Sequence, residues 1–422
     1  MKFRVDREVL GDAVAWVARA LPTRPVVPVL SCLLLQADVN GLTLSCFDYE
    51  VSARAQVAAD VGEPGSALVP GRLLAEITRS LPPAEVEVTS EAGVVTLTCA
   101  SAEFALVSLP LAEYPRLPEL PAVAGTVDGG VLATAAAQVV PAASRDDTLP
   151  MLTGVCLEFD RQELTLAATD RYRLAVRTVR WEPADPQLRV SALVPARTLA
   201  EVARAMAPGR PVTIALGQPD TAAPAAGMIS FEGSGRRLTA RLLGGEFIRY
   251  ESRFPAGFEA TAEMAPGPFT EAVRRVSLVA EPNAPVQLAF RGDVVVIEAQ
   301  SEGRARGIES VPVRFAGSDQ AISFNPQYLL DGLAAAALSD QGRSPASAED
   351  KQAQPGGPGR IKLEFTSPAR PALITWVDGD AVADTPESDP AASQGRGSGE
   401  SPRAEAAAFR YLVVPRRTPV TG

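Results

Sequence analysis

Ala67-Leu68-Val69-Pro70-Gly71-Arg72-Leu73-Leu74-Ala75-Glu76-Ile77 recurs farther along the chain as Ala192-Leu193-Val194-Pro195-Ala196-Arg197-Thr198-Leu199-Ala200-Glu201-Val202. A weaker third copy reads Ile322-Ser323-Phe324-Asn325-Pro326-Gln327-Tyr328-Leu329-Leu330-Asp331. The prolines, at 70, 195 and 326, are 125 and 131 residues apart. Each copy predicts a short strand, a proline at a helix start, and apolar residues at helical spacing. Proline suits a first helical turn because the N–H it lacks has no intrahelical acceptor there. A period of this length marks a repeat architecture, and missing it misassigns the fold.

Two further elements recur in step. Pro28-Val29-Leu30 leads into Leu33-Leu34-Leu35, a turn at Asn40-Gly41, and Leu42-Thr43-Leu44 ending at Phe47-Asp48. Pro150-Met151-Leu152 leads, 122 residues later, into Val155-Cys156-Leu157-Glu158-Phe159 and Leu164-Thr165-Leu166 ending at Thr169-Asp170. Pro285-Val286-Gln287-Leu288 with Val294-Val295-Val296-Ile297 repeats the pattern after a further 135 residues. Paired apolar runs around such turn signals read as hairpins. Before each lies an amphipathic helix, predicted over 6–21, 130–142 and 269–280. In the first, Val9, Leu10, Ala13, Val14, Val17 and Leu21 share one face. The fold class is therefore α+β: three tandem domains, each with two strand–helix–strand repeats. Their expected bounds are 1–122, 123–253 and 254–422.

The chain has 422 residues, enough for two to four domains. Residues 340–360 and 380–408 are rich in Gly, Pro, Ser, Ala and acids, and predict flexible insertions that cannot repay the entropy of ordering. Residues 378–408 alone hold seven acids and two arginines. No apolar run approaches the ~20 residues of a membrane span. Lys2, Arg4 and Asp6 stand where a signal peptide would be apolar. A cytoplasmic location is expected.

There is no histidine, which excludes serine–histidine and cysteine–histidine catalysis and any metal site needing imidazole. Cys32, Cys46, Cys99 and Cys156 form no CxxC pair and sit in apolar, strand-like runs, which predicts buried free thiols. Asp146-Asp147, Asp48 with Glu50, and Gly395-Arg396-Gly397-Ser398-Gly399 are the only hints of an enzyme. An isolated acidic pair is ordinarily a cap or turn, and the glycine run has no strand before it or helix after it. No catalytic residue, metal or cofactor is expected. The net charge of −10 argues against a chain that coats nucleic acid over its whole surface. All but three of the 40 basic residues are arginine, which reads as nucleotide-composition bias.

Five stretches carry a family resemblance: Met1-Lys2-Phe3-Arg4-Val5, Thr23-Arg24-Pro25-Val26-Val27-Pro28-Val29-Leu30, Ala168-Thr169-Asp170-Arg171-Tyr172-Arg173-Leu174-Ala175-Val176, Phe324-Asn325-Pro326-Gln327-Tyr328-Leu329-Leu330 and Tyr411-Leu412-Val413-Val414-Pro415. In this order, on an independently visible repeat, they resemble the beta subunit of bacterial DNA polymerase III, the sliding clamp, and most nearly its actinobacterial form. The resemblance implies a head-to-tail ring of two chains around duplex DNA, with helices inside and sheets outside. It implies a non-catalytic processivity factor whose partners are duplex DNA without sequence preference, the replicative polymerase, the clamp loader, and repair polymerases and other proteins with clamp-binding peptides.

Residue by residue, it points to Arg24, Arg72, Arg79, Arg197, Arg204, Arg210, Arg274 and Arg275 as contacts to the DNA backbone. A polyanion asks for a positive lumen even in an acidic chain. It places a partner-peptide pocket at Leu152, Thr169, Arg171, Tyr172, Arg173, Leu174, Ile248, Arg253, Pro371, Leu412, Val414, Pro415, Arg416 and Arg417. It places the dimer joint at Phe104 and Leu106 against Ser277 and Leu278. The pocket departs from the family pattern: proline is usual at Ile248, an apolar residue at Arg253, and methionine at Val414 and Arg416. The family also has a larger apolar residue at Ser277. These departures raise an alternative, a divergent second clamp with altered peptide selectivity that stands in for the usual one under a pocket-directed inhibitor.

Overall fold

Pro70 and Pro195 close strands instead of opening helices. Each is the last residue of an extended segment, paired to Cys32 and Gly154 of the neighbouring strand, and the helix begins one residue later. Only Pro326 is the first residue of its helix, behind Asn325, whose side chain accepts the N–H groups of Gln327 and Tyr328 at 2.9 and 3.2 Å. The first two copies run straight from strand to helix and have no room for such a cap.

The computed structural model describes residues 1–205, 209–217, 227–281, 284–301, 303–341, 359–378 and 409–416. The first third contains β1 (Lys2–Val5), α1 (Arg7–Ala18), β2 (Cys32–Asp38), β3 (Gly41–Phe47), β4 (Val51–Val57), β5 (Asp60–Glu63), β6 (Gly65–Pro70), α2 (Gly71–Ser80), β7 (Val86–Glu91), β8 (Val94–Cys99) and β9 (Ala102–Val107). Then come β10 (Val123–Asp128), α3 (Gly129–Val139), β11 (Gly154–Asp160), β12 (Glu163–Thr169), β13 (Arg173–Arg180), β14 (Glu182–Pro183), β15 (Arg189–Pro195), α4 (Ala196–Ala205), β16 (Pro211–Leu216), β17 (Met228–Gly233) and β18 (Arg236–Arg241). The remainder has β19 (Ala260–Met264), α5 (Pro266–Ser277), β20 (Val286–Arg291), β21 (Val294–Ser301), β22 (Ala305–Pro312), β23 (Arg314–Ala316), β24 (Gln320–Phe324), α6 (Pro326–Gln341), β25 (Arg360–Phe365), β26 (Ala372–Val377) and β27 (Phe409–Val413).

Helix α5 starts three residues before the expected Phe269, because Pro266 supplies a pre-set first turn. The expected insertion at 340–360 is shorter than its bounds: α6 reaches Gln341 and β25 begins at Arg360, with 342–358 outside the described residues. The second, 380–408, lies wholly outside them. Among the described residues no helix is long and apolar enough to cross a membrane.

The chain folds as two compact units. One, formed by Met1–Ala133, Trp181–Leu188 and Arg197–Leu243, holds a five-stranded sheet in the order β5-β1-β7-β8-β9 and a nine-stranded sheet in the order β14-β10-β16-β17-β18-β4-β3-β2-β6. The other, formed by Thr134–Arg180, Arg189–Ala196 and Gly244–Gly422, holds a nine-stranded sheet ordered β15-β11-β12-β13-β27-β26-β25-β19-β23 and a four-stranded sheet ordered β22-β21-β20-β24. Helices α1 and α2 pack together in the first unit, α5 and α6 in the second, and their apolar stripes build the cores. Leu10, Val14 and Val17 of α1 and Phe269, Val273 and Val276 of α5 are all buried.

The repeat extends to turn geometry. Asp48 and Asp170 each accept the N–H groups two and three residues ahead, and the residue between is left-handed: Tyr49 at φ 75° and Arg171 at φ 80°. The third hairpin turns through Gly303 at φ 67°. Glycine takes that conformation without steric penalty, whereas tyrosine and arginine do not. All four cysteines are free and buried in strands.

Candidate functional site

The β12–β13 hairpin supplies the core of a cavity of about 650 Å³ in the second unit. Its lining is Leu152, Thr169, Arg171, Arg173, Leu174, Ile248, Ser252, Arg253, Pro371, Leu412 and Val414. Leu174 and Leu412, both in the lining, face each other across the β13–β27 pairing, so two strands distant in sequence make one apolar floor. Pro371 immediately precedes β26, and Val414 follows β27 with its N–H donated to the Tyr172 carbonyl at 2.8 Å.

Ten of the 14 pocket positions expected from the sequence meet in this lining. Tyr172, Pro415 and Arg416 do not line it. Tyr172 is exposed and stacks on Tyr328 with ring centroids 6.2 Å apart. Arg416 is exposed and donates its backbone N–H to the Ser323 carbonyl. Arg417 lies outside the described residues. The arginines that line the cavity are Arg171, Arg173 and Arg253.

Arg173 is buried and lies 4.4 Å above the Tyr328 ring. Its Nε donates to Asp170 Oδ2 at 2.9 Å and its Nη1 to Asp331 Oδ2 at 2.5 Å. Burial works against the charge, but the Tyr411 hydroxyl, Asp331 and Asp170 outweigh it and hold the guanidinium pKa above its ordinary value. The carboxylates are fully engaged. Asp170 Oδ1 takes the N–H groups of Tyr172 and Arg173, and Asp331 Oδ1 takes the Gln327 amide. Thr169 Oγ1 closes the hairpin by donating to the Arg173 carbonyl at 2.6 Å.

The opposite wall comes from a single helical turn, Glu251–Arg253. It is pinned by Tyr250, which is buried and donates its hydroxyl to Glu158 Oε2 on β11 at 2.5 Å. Burial pushes the Glu158 carboxyl up, with Glu251 adding to the effect and the Tyr250 hydrogen bond opposing it. Burial, with Glu158 and Glu251 nearby, pushes the Cys156 thiol up to about 12, so it is inert at neutral pH.

Ser252 and Asp331 are the residues that reading the sequence missed. Ser252 carried no signal beyond its neighbour Arg253. Asp331 closes the third repeat copy, but its partner is 158 residues away.

A second cleft, of about 510 Å³, lies in the first unit between the loop after α1 and the helices α2 and α4. Arg19, Arg24, Arg72 and Arg197 line it with Asp48 and Glu201. Arg72 Nη2 donates to the Pro22 carbonyl at 3.1 Å, and Arg19 lies 3.8 Å from Glu201. Leu74 and Ile77 of α2 and Leu199 and Val202 of α4 are buried, which turns Arg72, Arg79, Arg197 and Arg204 outward. Among the described residues Arg24, Arg72, Arg79, Arg197 and Arg210 form no ion pair. Arg204 pairs with Glu201 at 2.5 Å, Arg274 with Glu271, and Arg275 with Glu309 at 2.5 Å.

Of the joint residues, Phe104 is exposed on β9, the edge of the five-stranded sheet. Leu106 is buried in its own core and presents no side chain outward. Leu278, just past α5, is 82% exposed, and the Ser277 hydroxyl bonds back to the Val273 carbonyl at 2.6 Å.

Three family descriptions match the chain in succession: DNA polymerase III beta subunit, N-terminal domain over residues 1–118, central domain over 126–248, and C-terminal domain over 251–340. The chain is 44% identical over 418 residues to the beta sliding clamp of Streptomyces coelicolor, covering 99% of each. It is 47% identical over 312 residues to that of Micrococcus luteus, covering 74% of this chain and 99% of the relative. The crystal structure of the DNA polymerase sliding clamp from Bacillus subtilis superposes with a TM-score of 0.80 over 99% of both chains at 24% identity, a likeness of fold.

Proposed function

Because the chain belongs to the DNA polymerase III beta-subunit family, the bacterial sliding clamps, we propose that it closes as a ring of two copies around duplex DNA. Members of this family are non-catalytic processivity factors that work with DNA, polymerase and clamp loader, and this chain does the same. The dimer, the domain bounds 1–122, 123–253 and 254–422, and the assignment of the cavity to partner peptides are our reading.

One observation carries the ring. The strand that follows the Tyr49, Arg171 or Gly303 turn is β4, β13 or β22. The first two are paired antiparallel with β18 and β27, the last strands of the following repeats. The third, β22, and its remaining counterpart, β9, are both edges. Joining β9 of one copy to β22 of another makes a further nine-stranded sheet from the five- and four-stranded ones. Two such joints close a ring and leave neither of these edges exposed. Phe104 (36% exposed) would then meet Leu278.

Within that ring Arg24, Arg72, Arg79, Arg197, Arg204, Arg210, Arg274 and Arg275 face the duplex and read only phosphate charge, as sliding over every sequence requires. The 650 Å³ cavity takes the apolar anchors of an extended peptide from the polymerase, the loader or a repair protein. Extension of a primed circular template by polymerase and clamp loader, with this protein as sole clamp, tests the reading. Long products together with a dimer by light scattering are expected. Short products from a stable monomer would overturn the ring, and short products from a dimer would overturn the pocket assignment.

A further inference from the structure

Among the described residues, two of the three arginines lining the cavity form no ion pair. Arg173 is neutralised within the protein by Asp170 and Asp331, whose four oxygens are all occupied. Arg171 and Arg253 line the same cavity, are exposed, and among the described residues form no ion pair or side-chain hydrogen bond. Glu251 shares the turn with Arg253 without pairing to it. Asp146 acts on Arg171 only through space, its Oδ1 accepting the Thr148 N–H at 3.0 Å. Among the described residues no Asp or Glu lines the cavity.

Arg171 is also held at φ 80°, the position that Gly303 occupies in the third hairpin. A side chain kept at a left-handed position costs backbone energy, and such residues cluster where a ligand is gripped. Tyr250, hydrogen-bonded to Glu158, anchors the start of the turn that carries Arg253. The floor between them, Leu152, Leu174, Ile248 and Leu412, is apolar and accepts no charge. Two cations without ion pairs among the described residues, set in the lining of an apolar cavity, select for an anionic group next to apolar anchors.

We propose that Arg171 and Arg253 make this cavity selective for partner peptides that carry a carboxylate beside their apolar anchors. The proposal rests on the cavity being the peptide receptor, and its test separates the two ideas. The probe is a fluorescent, amidated hexapeptide with two leucines and a phenylalanine, made in an aspartate and an asparagine version. Fluorescence polarisation with the full chain is expected to give binding about fivefold tighter for the aspartate version at low salt. The ratio should shrink toward one at high ionic strength and in both Arg171→Gly and Arg253→Val. A free-acid asparagine peptide that matches the amidated aspartate one would support the same selectivity, exercised on a terminal carboxylate. Equal binding of the two amidated versions would overturn the selectivity while leaving the receptor intact. Binding of neither by a folded, dimeric protein would overturn both.

Discussion

Arg173 on β13 and Asp331 on α6 meet at 2.5 Å beside the 650 Å³ cavity, tying a hairpin of one repeat to the helix of another. Asp170 completes the pair from within the hairpin turn. Because Arg173 is buried, removing Asp331 leaves a charge with half its compensation. We expect Asp331→Ala to lower stability by about 3 kcal/mol. Urea denaturation monitored by circular dichroism measures it, and a loss below 1 kcal/mol would mean that Asp170 alone suffices.

The Tyr250–Glu158 hydrogen bond gives a pH-dependent counterpart. Burial raises the Glu158 pKa above its unfolded value, so the folded state favours the protonated carboxyl. That contribution is fully present below the unfolded pKa, about 4.3, and is lost as pH rises through the folded value. Glu158→Gln keeps an acceptor for Tyr250 and removes the charge. Its Tm should exceed that of the parent at pH 7 and converge on it near pH 4. A difference independent of pH would refute the assignment.

The arginines that we assign to the DNA-facing surface divide by their partners. Among the described residues Arg24, Arg72 and Arg197 form no ion pair, whereas Arg204, Arg274 and Arg275 are each held by a glutamate. Replacing Arg72 or Arg197 with Ala should reduce the log–log salt slope of DNA retention by about 1. Replacing Arg204 or Arg274 should change it by less than half as much. Retention of loaded protein on nicked circular DNA across a salt series provides the measurement.

The proposed joint has a register. In β4–β18, Ala53 faces Leu238, and in β13–β27, Ala175 faces Tyr411. Carried to the third joint, this sets Phe104 opposite Gly307 and Ala105 opposite Arg306 of the other copy. The double variant Ala105→Cys, Arg306→Cys should oxidise to a covalent dimer at protein concentrations where the ring forms. The native cysteines are all buried and do not interfere. Absence of a crosslink in a protein that is dimeric by light scattering would displace the register.

Arg171 should carry a measurable cost. Glycine in its place relieves the left-handed strain, against glycine's greater freedom in the unfolded chain, for a net gain of about 0.5–1 kcal/mol. Arg253→Val, at an ordinary turn position, should leave stability within ~0.5 kcal/mol of the parent. Thermal unfolding of the two variants side by side separates strain from charge.

The sequence carried the local fold well. The 122-residue offset between Asp48 and Asp170 is also the offset of two equivalent turns, and the period-2 and 3.6-residue patterns mark the hairpins and helices. Sheet order was not legible. Alternation shows which face of β4 or β13 is buried, but backbone pairing to β18 or β27 leaves no mark on side-chain pattern. The cavity was legible only through family likeness, since Leu152, Leu174 and Leu412 are buried enough to pass for ordinary core. Val414 lines the cavity, while Arg416, two residues on, is exposed and holds the Ser323 carbonyl through its backbone N–H, a detail that residue type alone does not reveal.

Strand β27 lies in the interior of its nine-stranded sheet, between β13 and β26. A ribosome must therefore pass residue 413 before that sheet can be zipped shut, long after β11–β13 have emerged. Until then β13 and β26 wait with open flanks, and the apolar floor that Leu412 completes does not exist. Prematurely terminated products would thus be unable to capture the binding partners of the finished molecule. They would also offer proteases and chaperones an unsealed sheet by which to recognise them.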